Sequence, residues 1–138
     1  MEIEFIRQNW YLFVALVGIV GLIALEPLRQ KMSGVKRLSI LQYMRLASDE
    51  NPQLIDVSEA KEYKKGHIPS SKNVPLSGLD DALPKLGKFK NKPVVITCQT
   101  GTRSNRAASK LTRQEFSQVY ILEGGLAAWE KENMPVER

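Results

Sequence analysis

The chain has 138 residues, 43% of them hydrophobic and 25% charged, with a formal net charge of +5. That length holds one ordinary globular domain with chain to spare. The charge is too diffuse to argue for nucleic acid: residues 1–37 carry five Lys/Arg against three Asp/Glu, and the remainder fifteen against twelve. A single cysteine excludes an internal disulfide, and one cysteine with one histidine, His67, argues against a Cys/His metal site.

The first element is "WYLFVALVGIVGLIAL", Trp10 to Leu25, sixteen residues without a charge. A helix crossing the hydrocarbon core needs roughly 20 apolar residues, with about 17 the usual minimum. Extension backward through Phe5 and Ile6 supplies the rest, with Arg7 reaching toward headgroups. Trp10 and Tyr11 fall where an interfacial aromatic belt would lie, and Pro27 is expected to stop the helix. A cleaved signal peptide would want a basic start and a small-x-small cleavage site, whereas Glu2 and Glu4 offset Arg7 and "ALEPLRQ" cleaves poorly. A stretch apolar on every face also suits lipid better than the core of a small domain. Residues 1–27 are therefore predicted to be an uncleaved single-pass transmembrane anchor, spanning the bilayer over about residues 5–25.

Arg29, Lys31, Lys36 and Arg37 follow the span and only Arg7 precedes it. The positive-inside rule then places the N-terminus outside and the rest in the cytoplasm, as for a protein of the inner (plasma) membrane. Residues 28–38 read as a basic juxtamembrane linker against anionic headgroups. Ala15, Gly18, Gly21 and Ala24 recur at threes rather than fours, which is not the close-packing spacing of paired membrane helices.

The soluble domain is expected over residues 39–138. "LSILQYMRLAS" has helical spacing with Ser39 as N-cap. "QLIDV" (53–57) is a buried strand, and "SEAKEYKKG" a helix capped at Ser58 and stopped by Gly66. "HIPSSKNVPL" is loop, and "GLDDALPKLGKFKNK" a short helix with a basic turn. "PVVIT" (93–97) is a second strand, "RSNRAASKLTRQEF" a helix with Ala107, Ala108 and Leu111 inward, "QVYIL" (118–122) a third strand, and "GLAAWEKEN" a closing helix around Trp129. Apolar strands alternating with short helices predict a three-layer α/β domain around a mainly parallel sheet.

Cys98 lies between the strand ending at Thr97 and the helix starting near Thr102. In open α/β sheets, ligands collect at such strand ends, beside helix N-termini with unpaired N–H groups and partial positive charge. Gly101 lets the backbone turn its amides inward, and Arg103 adds a permanent cation. The setting stabilises a thiolate, although a lone cysteine at a strand end is also commonly an inert core residue.

"CQTGTRS" resembles the active-site loop of the rhodanese superfamily, a cysteine opening a six-residue loop with glycine fourth. "LIDVSEAKEYKKGHIPSSKNVPL" resembles that family's first signature, and "VYILEGGLAAWEKENMPVE" its C-terminal signature of a glycine pair and tryptophan. The resemblance covers roughly residues 39 to 137. It implies a rhodanese-like three-layer fold and sulfur transfer without a cofactor. Cys98 would carry sulfane sulfur as a persulfide, cradled by Gln99, Thr100, Gly101, Thr102 and Arg103. A small donor such as thiosulfate, or a persulfide-donating protein, would load it, and a thiol or cyanide would unload it. Two departures bear on substrate preference: Ser58 stands where the family often has arginine, and Ser70–Ser71 replace the usual Gly-Ala. The related cysteine phosphatases have five residues between cysteine and arginine, whereas Cys98 and Arg103 have four, "QTGT", a loop suited to sulfur.

Asp56 is read as a supporting hydrogen-bond partner or a turn cap, and His67 as a supporting residue that satisfies buried backbone. Arg106, Lys110 and Arg113 form either a solvated helix face or a basic rim. The competing reading is a rhodanese fold kept as a membrane-tethered interaction module, and either reading invites a partner at the membrane.

Overall fold

The structure, a computed structural model, describes residues 2–32 and 35–138, and over residues 26–32 only the course of the helix. It divides into two compact units, Met1–Met32 and Ser33–Arg138.

The first unit is two helices, α1 (Glu2–Gln8) and α2 (Trp10–Met32). The uninterrupted span expected over residues 5–25 is broken at Asn9. There the side-chain amide and the backbone N–H both donate to the Phe5 carbonyl, at 3.0 and 3.1 Å. Asn competes for backbone partners in this way, which makes it a poor helix interior. Glu2–Gln8 and Trp10–Leu25 meet at a bend of 69°. Among the described residues no single helix is long and apolar enough to cross a membrane; the bent pair together has the length and composition. Pro27 does not end the helix as expected, since α2 runs on to Met32. A proline forfeits one main-chain hydrogen bond and kinks a helix without necessarily terminating it. Ser33 and Gly34 of the expected linker lie outside the described residues, as do the side chains of Arg29 and Lys31.

The second unit is a five-stranded, wholly parallel sheet in the order β1-β5-β4-β2-β3. Its elements run β1 (Val35–Leu38), α3 (Ile40–Glu50), β2 (Gln53–Asp56), α4 (Ala60–Lys65), β3 (Lys72–Asn73), α5 (Leu79–Leu86), β4 (Val94–Thr97), α6 (Thr102–Arg113), β5 (Val119–Leu122) and α7 (Gly125–Lys131). Side chains alternate across the strands, so β2, β4 and β5 each feed two cores. Ile55, Val94, Ile96, Val119 and Ile121 pack under α5 and α6, against Leu79, Ala107 and Leu111. Leu54, Val95 and Leu122 pack under α3 and α7, against Tyr43 and Trp129. Three layers result, as expected of strands apolar on both faces. Trp129 sits in this second core, edge-on to Tyr43, with its indole N–H donating to the Pro135 carbonyl at 2.7 Å.

Two expectations change. The sheet takes in four residues ahead of position 39, because Val35–Leu38 of the expected linker form β1, paired with β5 from Val35↔Val119 to Leu38↔Leu122. Lys36 and Arg37 point to solvent on an edge strand, where charge blunts unwanted pairing, so the apolar alternation that marks a strand was too short to see. The helix after β2 begins at Ala60 with Glu59 as its N-cap residue, because Ser58 is engaged elsewhere.

Ser70, one of the departures from the family pattern, has φ +70. That left-handed conformation costs an L-residue roughly 1–2 kcal/mol that glycine escapes, offset in part by glycine's greater entropy when unfolded. Ser70 is exposed. Ser70→Gly is therefore expected to stabilise the domain by about 0.5–1 kcal/mol, read as a higher denaturant midpoint at unchanged slope.

Candidate active site

Strands β2, β4 and β5 are neighbours, with Asp56 beside Thr97 and Ile96 beside Ile121. Their carboxyl ends therefore deliver three segments to one edge of the sheet: 56–58, 98–101 and 123–125. Val57 N–H donates to the Thr97 carbonyl at 2.9 Å, joining the first two.

Cys98 is 1% exposed, at the end of a strand whose four residues are all buried. Its Sγ accepts the Gly101 N–H at 3.0 Å. The chain closes this ring because Gly101 takes φ +95, a conformation open to glycine at little cost. α6 then starts at Thr102, so the sulfur lies at the positive end of a twelve-residue helix. The loop's carbonyls are turned the other way. Leu126 N–H donates to the Cys98 oxygen at 2.8 Å and Ala127 N–H to the Gln99 oxygen at 3.0 Å. The first turn of α7 thus clamps the back of the loop. Gly125 lies where the two backbones meet: its φ is +56, and a Cβ there would run into the Cys98 carbonyl.

The segment after β2 forms the flank. Asp56 is 1% exposed, and its Oδ1 accepts the Ser58 N–H at 2.8 Å. Ser58 Oγ in turn accepts the Gln99 amide at 3.1 Å. Asn73 Nδ2 donates to the Asp56 and Ser58 carbonyls at 3.1 and 2.8 Å, tying β3 to the same turn. Asp56 therefore acts on the residue after Cys98 through Ser58. The Thr100 and Thr102 hydroxyls lie 3.3 Å apart, and both residues are exposed.

Arg103 forms a planar two-pronged pair with Glu62 of α4, at 2.6 and 2.9 Å, rather than pointing free. The Arg103 hydrogen bond, foremost, holds the Glu62 carboxyl down at about 2. Glu62 also holds the guanidinium above its ordinary value, with Cys98 and Glu59 adding to the field. The sequence marked Glu62 only as a residue of the α4 pattern; one acid within a run of lysines is the signal that could have found it.

His67 takes a place apart from these groups. Its ring stacks on Tyr63 at 3.7 Å between centroids, its Nδ1 lies 2.8 Å from the Tyr63 carbonyl, and its Nε2 is 3.7 Å from Glu137. Its backbone bridges to Glu137, so the described partners of His67 pin the C-terminal segment rather than the Cys98 loop. Lys110 of the basic stripe on α6 pairs with Asp80 at 3.0 Å. Among the described residues there is no group of three or more His, Cys, Asp or Glu that could hold a metal ion.

The Glu62 pair sets a pH dependence. A carboxyl whose folded value lies below its unfolded one contributes stability that is present above the unfolded value and lost as pH falls toward the folded one. Glu62 is held at about 2 from an ordinary 4.5, so its contribution fades between those values. Both side chains are about one-third exposed, so solvent screening limits the pair to about 1 kcal/mol. Glu62→Gln is expected to flatten the acid limb of the stability curve between about pH 4.5 and 2, by denaturant titration at each pH.

Residues 39–132 match the family model of the rhodanese-like domain. The chain is 28% identical over 136 residues to the uncharacterized protein YibN of Escherichia coli K12, covering 98% of this chain and 95% of that protein. It is 37% identical over 95 residues to the thiosulfate sulfurtransferase GlpE of Pseudoalteromonas translucida, covering 69% of this chain and 89% of that one. Among solved structures, a rhodanese-related protein from Thermoplasma volcanium superposes with a TM-score of 0.65 at 26% identity, over 74% of this chain and 97% of that chain. The match runs from the N-cap of α3 to the C-cap of α7, through every segment that shapes the Cys98 loop, and the chain belongs to the rhodanese-like domain family.

Proposed function

We propose that this chain is a membrane-anchored sulfurtransferase that carries sulfane sulfur as a persulfide on Cys98. The observation that carries the reading is the Gly101 N–H aimed at Cys98 Sγ at 3.0 Å, at the N-terminus of α6. A backbone donor and a helix terminus favour an anion on that sulfur. With thiosulfate as donor, the Cys98 thiolate attacks the outer sulfur. The new Sγ–S bond forms, the donor's S–S bond breaks, and its electron pair leaves with sulfite. The terminal persulfide sulfur is then itself anionic and sits in the cradle from Gln99 to Arg103. Cyanide or a thiolate attacks that sulfur, takes it as thiocyanate or a new persulfide, and returns the Cys98 thiolate. No second cysteine exists to resolve the persulfide internally, so the acceptor is external. The four-residue spacing between Cys98 and Arg103 favours this chemistry over phosphate ester hydrolysis.

The anchor is the second part of the reading. Apolar side chains line α2 and are open to their surroundings, Val17 at 71% and Leu22 at 70%. Exposed to water, such a surface is strongly unfavourable, and lipid is the medium that satisfies it. We place the rhodanese-like domain on the cytoplasmic side of the inner membrane, by the positive flank after the span.

The test is direct. Purified protein incubated with thiosulfate should gain the mass of one sulfur on Cys98, and cyanide should remove it with stoichiometric thiocyanate. Absence of the adduct with thiosulfate and with a persulfide donor alike sinks the sulfur-carrier reading. The full chain should resist alkaline extraction from membranes, whereas a chain lacking residues 1–32 should be released; extraction of both overturns the anchor.

A further inference from the structure

We infer that Glu62 is a specificity-determining residue that occupies Arg103 and so turns the Cys98 site away from dianionic donors such as thiosulfate, toward persulfides of low charge. This rests on the sulfur-carrier reading above and names the donor class for it.

Two positions in the segments around Cys98 bear on the charge that an incoming anion meets. One follows Asp56-Val57, and here it is Ser58, buried and neutral, its hydroxyl taken up by Gln99. The other is Arg103. Its two terminal nitrogens are both spent on Glu62, at 2.6 and 2.9 Å, in the planar geometry that uses a guanidinium fork most fully. Glu62 is anchored in turn, since its Oε1 also accepts the Glu59 N–H at 3.1 Å. Glu59 adds a second carboxylate at the same end of α4, held by the Ser77 hydroxyl at 3.1 Å. The carboxyl of Glu62 stays ionised at any physiological pH, being held at about 2. An approaching anion therefore meets an arginine already neutralised, with two carboxylates beside it.

Among the described residues, the sulfur meets the Gly101 N–H and the terminus of α6. Those are partial charges, matched to one anionic sulfur rather than to a dianion. A hydropersulfide donor, R–S–S–H, fits. The Cys98 thiolate attacks the terminal sulfur, the Sγ–S bond forms, the donor's S–S bond breaks, and R–S⁻ leaves with the electron pair. The proton stays on the transferred sulfur or passes to the thiolate released. Charge is conserved, and no oxidant or reductant is consumed.

The experiment compares thiosulfate with cysteine persulfide as donors, using the full chain in detergent, for wild type, Glu62→Gln and Glu62→Ala. Freeing a guanidinium beside a bound dianion should raise its affinity about tenfold at low salt, an effect that fades at high salt. The expected result is a fall of about tenfold in KM for thiosulfate in both variants, with kcat changed less. The preference ratio, kcat/KM for thiosulfate over that for cysteine persulfide, should rise by a similar factor. Glu130→Gln removes the same charge from an exposed position on α7 and should leave the ratio alone. A ratio unmoved in both Glu62 variants, or moved as far by Glu130→Gln, overturns the inference while leaving Cys98 as sulfur carrier. Failure of wild type to take sulfur from either donor overturns the sulfur-carrier reading itself, and this inference with it. A purely structural role for Glu62 would lower stability and both donors' rates together, without the salt-dependent change in KM, and would also overturn it.

Discussion

Cys98→Ser should form no persulfide and lose thiocyanate formation by at least about a thousandfold, which corresponds to roughly 4 kcal/mol of barrier. A serine hydroxyl is not ionised near neutrality and makes a poor attacking group on sulfur without an adjacent base. The sequence holds no other thiol to substitute for it. The fold, by contrast, should survive. Cys98 is 1% exposed and packs with Ala107, Ala108 and the β4 side chains, so a residue one atom different fits the same space. The new hydroxyl oxygen can accept the Gly101 N–H that now meets Sγ, so that donor keeps its partner. The change in unfolding free energy should therefore be about 1 kcal/mol or less, by urea titration. Loss of transfer with stability kept isolates chemistry from folding. Wild-type rates in Cys98→Ser would place the nucleophile elsewhere and remove the basis for every role assigned around it.

Much of this arrangement could be read before the fold was known, and the reasons differ by element. β2, β4 and β5 are short apolar runs because parallel strands are covered on both faces, so the sequence carries them plainly. The inward positions of α6, Ala107, Ala108 and Leu111, follow from helical spacing alone. β1 escaped notice because half its residues are charged and it holds its place by main-chain pairing with β5. The break at Asn9 was hidden for a different reason: hydropathy measures composition, not the competition of one amide side chain for the Phe5 carbonyl. At the site, the loop residues from Cys98 to Arg103 were legible because they are contiguous. Glu62, 41 residues from Arg103, was not, since a pairing between helices distant in sequence leaves no local pattern. His67 was legible as a residue that satisfies backbone, but not that its partners would be Tyr63 and Glu137.

Gly125→Ala should disable the site from the far side of the loop. The position has φ +56, which costs an L-residue roughly 1–2 kcal/mol. Its Cβ would also meet the Cys98 carbonyl oxygen and the Gln99 carbonyl carbon well inside van der Waals contact. These are backbone atoms, so no side-chain rotation relieves the clash. Either α7 backs away, loosening the bonds from Leu126 and Ala127 to the loop at about 1 kcal/mol each, or the loop itself moves. Together these give an expected loss of about 3–4 kcal/mol in unfolding free energy. Displacing the sulfur from the Gly101 N–H by as little as ~1 Å should cost about a hundredfold in transfer rate as well. Gly87→Ala is the matched control: its φ is −54, and an added Cβ meets nothing within 4 Å. That substitution should be neutral or stabilising by a few tenths of a kcal/mol. Urea titration and the rate of sulfur loading, measured on both variants, separate the cases. Should Gly125→Ala match Gly87→Ala in stability and load Cys98 at the wild-type rate, the clamp of α7 on the loop carbonyls does not set the position of the sulfur. The expected result ties the glycine pair of the closing segment to the cysteine 27 residues before it, through two hydrogen bonds and one forbidden side chain.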